Sequence, residues 1–141
     1  MIEVVNRQRR RKITCERWRE FAETALKRIG KRGEGATIAF ISDRAMRELN
    51  RRFRGRTGST DVLSFPNSRE EFEDTSVVNL GDVVISIERA EAQADEHNLS
   101  FDEEVAQLIL HGLLHLCGYD HEKDDGEMNR LELSLRRRLG I

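Results

Sequence analysis

The chain has 141 residues, 38% hydrophobic and 35% charged, with a net charge of −2. That is about one domain's worth of sequence, able to bury a core without staples and too apolar for a disordered chain. It has no run of roughly 18 apolar residues to span a membrane, no apolar secretory core in "MIEVVNRQRRRK", and only two cysteines, Cys15 and Cys117, so a cytoplasmic protein with no membrane partner is expected.

"IEVVN" (2–6) is β-branched and reads as a strand. "TCERWREFAETALKRIGKRG" then sets Trp18, Phe21, Ala22, Ala25 and Ile29 at helical spacing, with Thr14 able to cap its start and Gly30 and Gly33 to end it. "TIAFIS" (37–42) reads as a buried strand. Ser42 caps the next helix, whose stripe is Met46, Leu49 and Phe53. "DVLSF" (61–65) reads as a strand stopped by Pro66, the one proline. Residues 67–79 read as an acidic loop, with Glu70, Glu71, Glu73 and Asp74 solvated rather than catalytic. "DVVISI" (82–87) is another strand, followed by a helix over about 88–97.

Ser100 and Glu103 form a capping box that opens a helix apolar nearly all round, "VAQLILHGLLHLC". Gly118 stands where a left-handed cap belongs. Asp124 and Glu127 can cap a last helix with Met128, Leu131, Leu135 and Leu139 on one face. There are no repeats and no Pro/Gly/Ser-rich linker. The order predicts one α+β domain over residues 1–141, with a small mixed four-stranded sheet packed by about five helices.

The segment "HGLLHLCGYDH" (111–121) carries three of the four histidines. His111 and His115 are four apart, which on a helix puts both rings on one face, about 6 Å apart along the axis. Gly118 lets the chain turn back, so that His121 can return as a third ligand. Three imidazoles leave one tetrahedral position open, as catalytic zinc sites do. Cys117 lies on another side of the helix and reads as a buried structural thiol, as does Cys15. His97 reads as a surface or capping residue. Asp120 is either a hydrogen-bond partner for a ligand ring or a turn residue. Long-motif zinc proteases share the histidine and glycine spacing, H-E-x-x-H-x-x-G-x-x-H, but use the glutamate as general base. Here that position is Gly112, so the cage is kept and the protease base is missing.

These residues resemble the YbeY family of bacterial metal-dependent endoribonucleases, the rRNA maturation factors. "HGLLHLCGYDH" is similar to the family's signature, "NRRFRGRTGSTDVLSFP" (50–66) to its R-G…T-D-V-L-S-F-P segment, and "NLGDVVIS" (79–86) to its L-G-D strand. The resemblance implies a single α+β domain and one zinc-like ion on His111, His115 and His121. It also implies cleavage of single-stranded RNA, with roles in small-subunit rRNA 3′-end processing and ribosome quality control. Expected partners are therefore rRNA and the small subunit or its assembly factors, and not DNA. An arginine matching Arg54 is regarded as important for activity there. Where the family commonly has Lys-Asp-Lys-Pro, this chain has Arg56-Thr57-Gly58-Ser59, without the rigid proline and with one positive charge fewer.

The charges are unevenly spread: residues 1–60 carry 17 Lys and Arg against 7 Asp and Glu, residues 61–141 carry 7 against 19. A basic half can attract phosphates, or disperse into solvated faces. Arg54 either is one of several surface arginines, with Arg47, Arg51, Arg52 and Arg56, or suits a phosphodiester, because its planar fork can grip two oxygens and stabilise growing charge; the resemblance favours the second. Arg56 is a candidate second RNA contact, and Arg7, Arg9, Arg10, Arg11 and Lys12 either extend a track for RNA backbone or form a solvated turn. His111 and Arg54 are thus the catalytic candidates. The nucleophile is left open between metal-activated water and the RNA 2′-hydroxyl. Asp61 and Asp82 either flank the site or satisfy turns. Zinc is the default ion, with nickel, copper or iron able to occupy such a site. A metallohydrolase of another substrate class, and a non-catalytic assembly factor with a structural metal, are the competing readings.

Overall fold

The computed structural model describes residues 1–67, 79–120 and 124–141; Glu70, Glu71, Glu73, Asp74 and His121 lie outside the described residues. The elements are β1 (Ile2–Asn6), α1 (Cys15–Ile29), β2 (Gly35–Ile41), α2 (Asp43–Arg54), β3 (Val62–Pro66), β4 (Asn79–Ser86), α3 (Ile87–His97), α4 (Phe101–Leu116) and α5 (Glu127–Leu139). Among the described residues the α+β class, the mixed four-stranded sheet and the five helices match the sequence reading.

The sheet runs β1-β2-β4-β3, with β1, β2 and β4 parallel and β3 antiparallel at one edge. Central strands of a parallel sheet are covered on both faces, which is why β2 and β4 are apolar with little alternation. On one face Ile38, Phe40, Val83 and Ile85 pack in a single cluster with Ala22 and Leu26 of α1 and Ile109 and Leu113 of α4. On the other, Ile41, Leu63 and Val84 form a smaller cluster with Met46 of α2. The apolar girth of α4 is explained by its neighbours, since it touches β3, β4, α1, α3 and α5. Among the described residues no helix is long and apolar enough to cross a membrane.

Local chemistry sets most of the boundaries. Ser42 accepts from the Ala45 N–H, and Ser86 from the Arg89 N–H, so each ends a strand and begins a helix within one residue. The cap at Ser86 is why β4 ends one residue before the expected Ile87. It begins three residues earlier than expected, because Asn79 and Gly81 pair with Gly35 and Pro66. Pro66 is part of β3 rather than its stop, a position an edge strand tolerates since no neighbour needs its missing N–H. Thr14 precedes α1 without a side-chain capping bond, its backbone not being extended as a capping residue requires. The capping box of Ser100 and Glu103 is formed in both directions. Asp124 accepts from the Met128 N–H at the head of α5, although Gly126 is the capping residue.

Candidate active site

From Leu108 to Leu116 every residue of α4 is buried except His111 and His115, which are partly open. The helix therefore spends its apolar faces on the core and turns one edge, four residues long, toward a cleft. The cleft has a volume of about 610 Å³. Its walls include Val62, Ser64 and Pro66 of β3, the loop residues Thr60 and Asp61, the two histidines, Tyr119 and Asp120, and Arg54 from the end of α2. Strand alternation explains most of the β3 contribution: Val62, Ser64 and Pro66 face this side, while Leu63 and Phe65 pack with Met46 of α2, although Leu63 also reaches the cleft wall.

Gly112 brings helix and strand together. A β-carbon there would stand 2.6 and 2.9 Å from the two methyls of Val83 and 3.3 Å from Ser64 Oγ. Ser64 Oγ donates to the Gly112 carbonyl at 3.4 Å. The position that carries the general base in long-motif zinc proteases is thus closed by contact with the sheet. At the other end, Gly118 adopts φ 97° and forms a Schellman turn, its N–H bonded to the His115 carbonyl at 3.0 Å and that of Tyr119 to the Leu114 carbonyl at 3.1 Å. The turn delivers Tyr119 and Asp120 to the cleft wall.

His111 Nε2 and His115 Nε2 stand 3.1 Å apart. Two imidazole nitrogens bound to one tetrahedral ion at 2.0–2.1 Å would stand about 3.4 Å apart. The pair fits a divalent transition metal with little adjustment. Among the described residues no group of three metal-ligating side chains closes on one point; the third expected ligand, His121, is outside them. Behind the pair, His111 Nδ1 lies 2.7 Å from Glu132 Oε1 of α5, and Glu132 Oε2 accepts from Arg136 at 3.3 Å. Burial alone would push the Glu132 carboxyl up, but the hydrogen bond to His111 and the neighbouring Arg136 help to hold it below the usual range.

Arg54 lines the cleft and makes no ion pair or side-chain hydrogen bond among the described residues, whereas Arg47 and Arg51 on the same helix are held by Asp43 and Glu48. Arg56 is exposed and is not among the lining residues. The 55–60 loop, which leads from α2 toward β3 and lacks a proline, is held instead by hydrogen bonds: Asn50 donates to the Gly58 carbonyl at 3.2 Å, and Ser59 donates to Asp43. Asp61 lines the cleft but spends one carboxylate oxygen on the Val62 N–H at 2.8 Å; Asp82 is exposed and away from the lining. Asp120 is at the site, Cys117 beside a separate small cavity with Lys31 and Leu80. Burial pushes that thiol up, against an opposing pull from Lys31, in keeping with an unreactive structural role. His97 pairs with Glu104, a buried carboxylate, with Nδ1 3.1 Å from both oxygens. In the basic run Arg10 is bonded to Glu91 at 2.8 Å and Arg11 lies 3.8 Å over the Phe101 ring, which ties part of that run to α3 and α4.

Glu132 is the site residue that the sequence reading missed. Its signal is a charged residue on the inward stripe of α5, between Met128 and Leu135, where an apolar side chain would pack at lower cost.

The family model described as "Endoribonuclease YbeY" matches residues 3–140. The "Endoribonuclease YbeY" of Aquifex aeolicus is 43% identical over 124 residues, covering 88% of this chain and 81% of the relative. That of Geobacter sulfurreducens is 35% identical over 136 residues, covering 96% and 91%. That of Koribacter versatilis is 46% identical over 123 residues, covering 86% and 74%. The solution structure of TM1509 from Thermotoga maritima superposes with a TM-score of 0.66 at 29% identity, covering 99% of this chain and 89% of that one. With a match that runs nearly from end to end and relatives this similar over most of their own lengths, the chain belongs to the YbeY endoribonuclease family.

Proposed function

We propose that this chain is a metal-dependent endoribonuclease acting on single-stranded RNA, with one zinc ion held by His111, His115 and His121. The observation that carries the reading is the convergence of His111 Nε2 and His115 Nε2 on a cleft that Arg54 also lines. An ion held there would supply Lewis-acid polarisation of a phosphoryl oxygen and a water of lowered pKa. The protein's own part is to position. Arg54 lines the cleft and is paired with no carboxylate among the described residues, so its fork can grip two phosphate oxygens and stabilise the charge that grows on them. The closed space at Gly112 removes the base of the peptidase route, which favours a phosphodiester over a peptide. Few aromatic residues are present for stacking bases, which fits a cut with little sequence preference.

Membership of the family supports the finer reading: maturation of the small-subunit rRNA 3′ end and ribosome quality control, in the cytoplasm, with the small subunit or its assembly factors as partners. Arg56, exposed beyond Gly55, is proposed as a second contact to the RNA backbone, outside the cleft itself.

Replacing Arg54 by alanine tests the role of the guanidinium. Since Arg54 is exposed, the melting temperature should stay near that of the parent chain. RNA cleavage should fall by about 10²–10³-fold, as when one transition-state donor is removed. Single-turnover cleavage of a labelled single-stranded RNA measures it. Unchanged cleavage would remove Arg54 from the mechanism.

A further inference from the structure

The chain places a buried carboxylate behind one of the two described histidines of the cleft. Glu132 is 7% exposed and comes from a different helix, 21 positions along the chain. Its Oε1 lies 2.7 Å from His111 Nδ1, short for a nitrogen–oxygen hydrogen bond and typical of one assisted by charge. A carboxylate can only accept, so in this bond the imidazole nitrogen must donate. A neutral imidazole carries one N–H. If that proton is on Nδ1, Nε2 bears a lone pair, and Nε2 is the atom that faces His115. The second oxygen, Oε2, accepts from Arg136 one turn further along α5. Both oxygens are thereby occupied, which favours the ionised form and stops the carboxylate from rotating.

We infer that Glu132, backed by Arg136, is a positioning residue that holds His111 as its Nδ1–H tautomer and aims the Nε2 lone pair into the cleft. α5 is then part of the site rather than a cover for the core. A role in stability alone would be served better by an apolar residue, since Met128 and Leu135 on either side are buried. Carboxylate partners of ligating histidines fix ring orientation and raise ligand basicity by this route. The metal-affinity part of the inference rests on the proposed metal site; the tautomer part does not.

The test uses the full chain, stripped of metal by a chelator and labelled with ¹⁵N-histidine. Long-range ¹H–¹⁵N spectra report the tautomer of His111, and competition with a chromophoric chelator reports the affinity for Zn²⁺. The parent chain should show Nδ1–H. Glu132→Ala should shift His111 toward the Nε2–H form and weaken Zn²⁺ binding by about 10–100-fold. An unchanged tautomer in that variant, or an unchanged affinity, overturns the inference. If Glu132→Ala does not fold, Glu132→Gln decides: its amide oxygen can still accept, so the tautomer should persist while the affinity falls, and an affinity equal to the parent's overturns the claim. A parent chain that binds no Zn²⁺ would sink the proposed metal site instead, and the tautomer spectra would then decide the inference alone.

Discussion

Replacing His111 by alanine should abolish RNA cleavage, with a loss of at least about 10³-fold, if several kcal/mol of transition-state stabilisation go with the proposed ion. The variant loses one of the two nitrogens that stand 3.1 Å apart, and of the three ligands proposed for the ion only His115 and His121 remain, too few to hold it as tightly as three. It also strips Glu132 of its hydrogen bond at 2.7 Å, leaving Arg136 as the carboxylate's remaining described partner. That loss should cost about 1–3 kcal/mol of stability, small enough for the variant to fold. The assay compares metal-loaded parent and variant on the same single-stranded RNA, with circular dichroism to establish that both are folded. Equal cleavage by the two would mean that the activity belongs to a contaminant.

The second large effect is expected at Gly112. Restoring the protease-type glutamate, Gly112→Glu, should unfold or severely destabilise the domain and should yield no peptidase. The first atom of the new side chain would meet two methyls of Val83, itself fully buried, at 2.6 and 2.9 Å. Overpacking of this kind costs about 1–3 kcal/mol. A carboxylate forced between α4 and the sheet adds a desolvation cost of several kcal/mol unless α4 moves away. For a chain of this size each kcal/mol is worth about 2–5 °C, so the melting temperature should drop by roughly 10 °C or more. Gly112→Ala isolates the steric part. Its gain in helix propensity, about 1 kcal/mol, offsets only part of the clash. Thermal denaturation of both variants, with a peptidase screen on any soluble Gly112→Glu protein, measures these effects. A stable, peptide-cleaving variant would mean that α4 does not lie against β3 and β4 as described.

Gly112 and Glu132 also mark where sequence reading stops. Elements held by local chemistry were legible: Ser42, Ser100 and Gly118 fix helix ends through hydrogen bonds to residues three or four positions away. The His111–His115 pair was legible for the same reason, since helical spacing alone puts the rings on one face. Gly112 could be seen as a missing base, but not as a contact, because Val83 reaches it only when β4 lies under α4. Glu132 was hidden further still. Its bond to His111 joins α4 to α5 across 21 positions, and only its place on an apolar stripe hints that it points inward. The boundary differences have the same origin. Pro66 stays within β3 because that strand ends up at the sheet edge, and β4 starts early because Gly35 and Pro66 are there to pair with it. Edge position and pairing are properties of the assembled sheet.

The most direct test of a metal held by imidazoles on α4 is elemental analysis of the parent chain purified without added metal, beside His111→Ala and His115→Ala. The metal site predicts about one transition-metal ion per parent chain, zinc first, and a sharp fall in both variants. RNA cleavage by a parent chain free of metal, or metal retained in full by both variants, would contradict it.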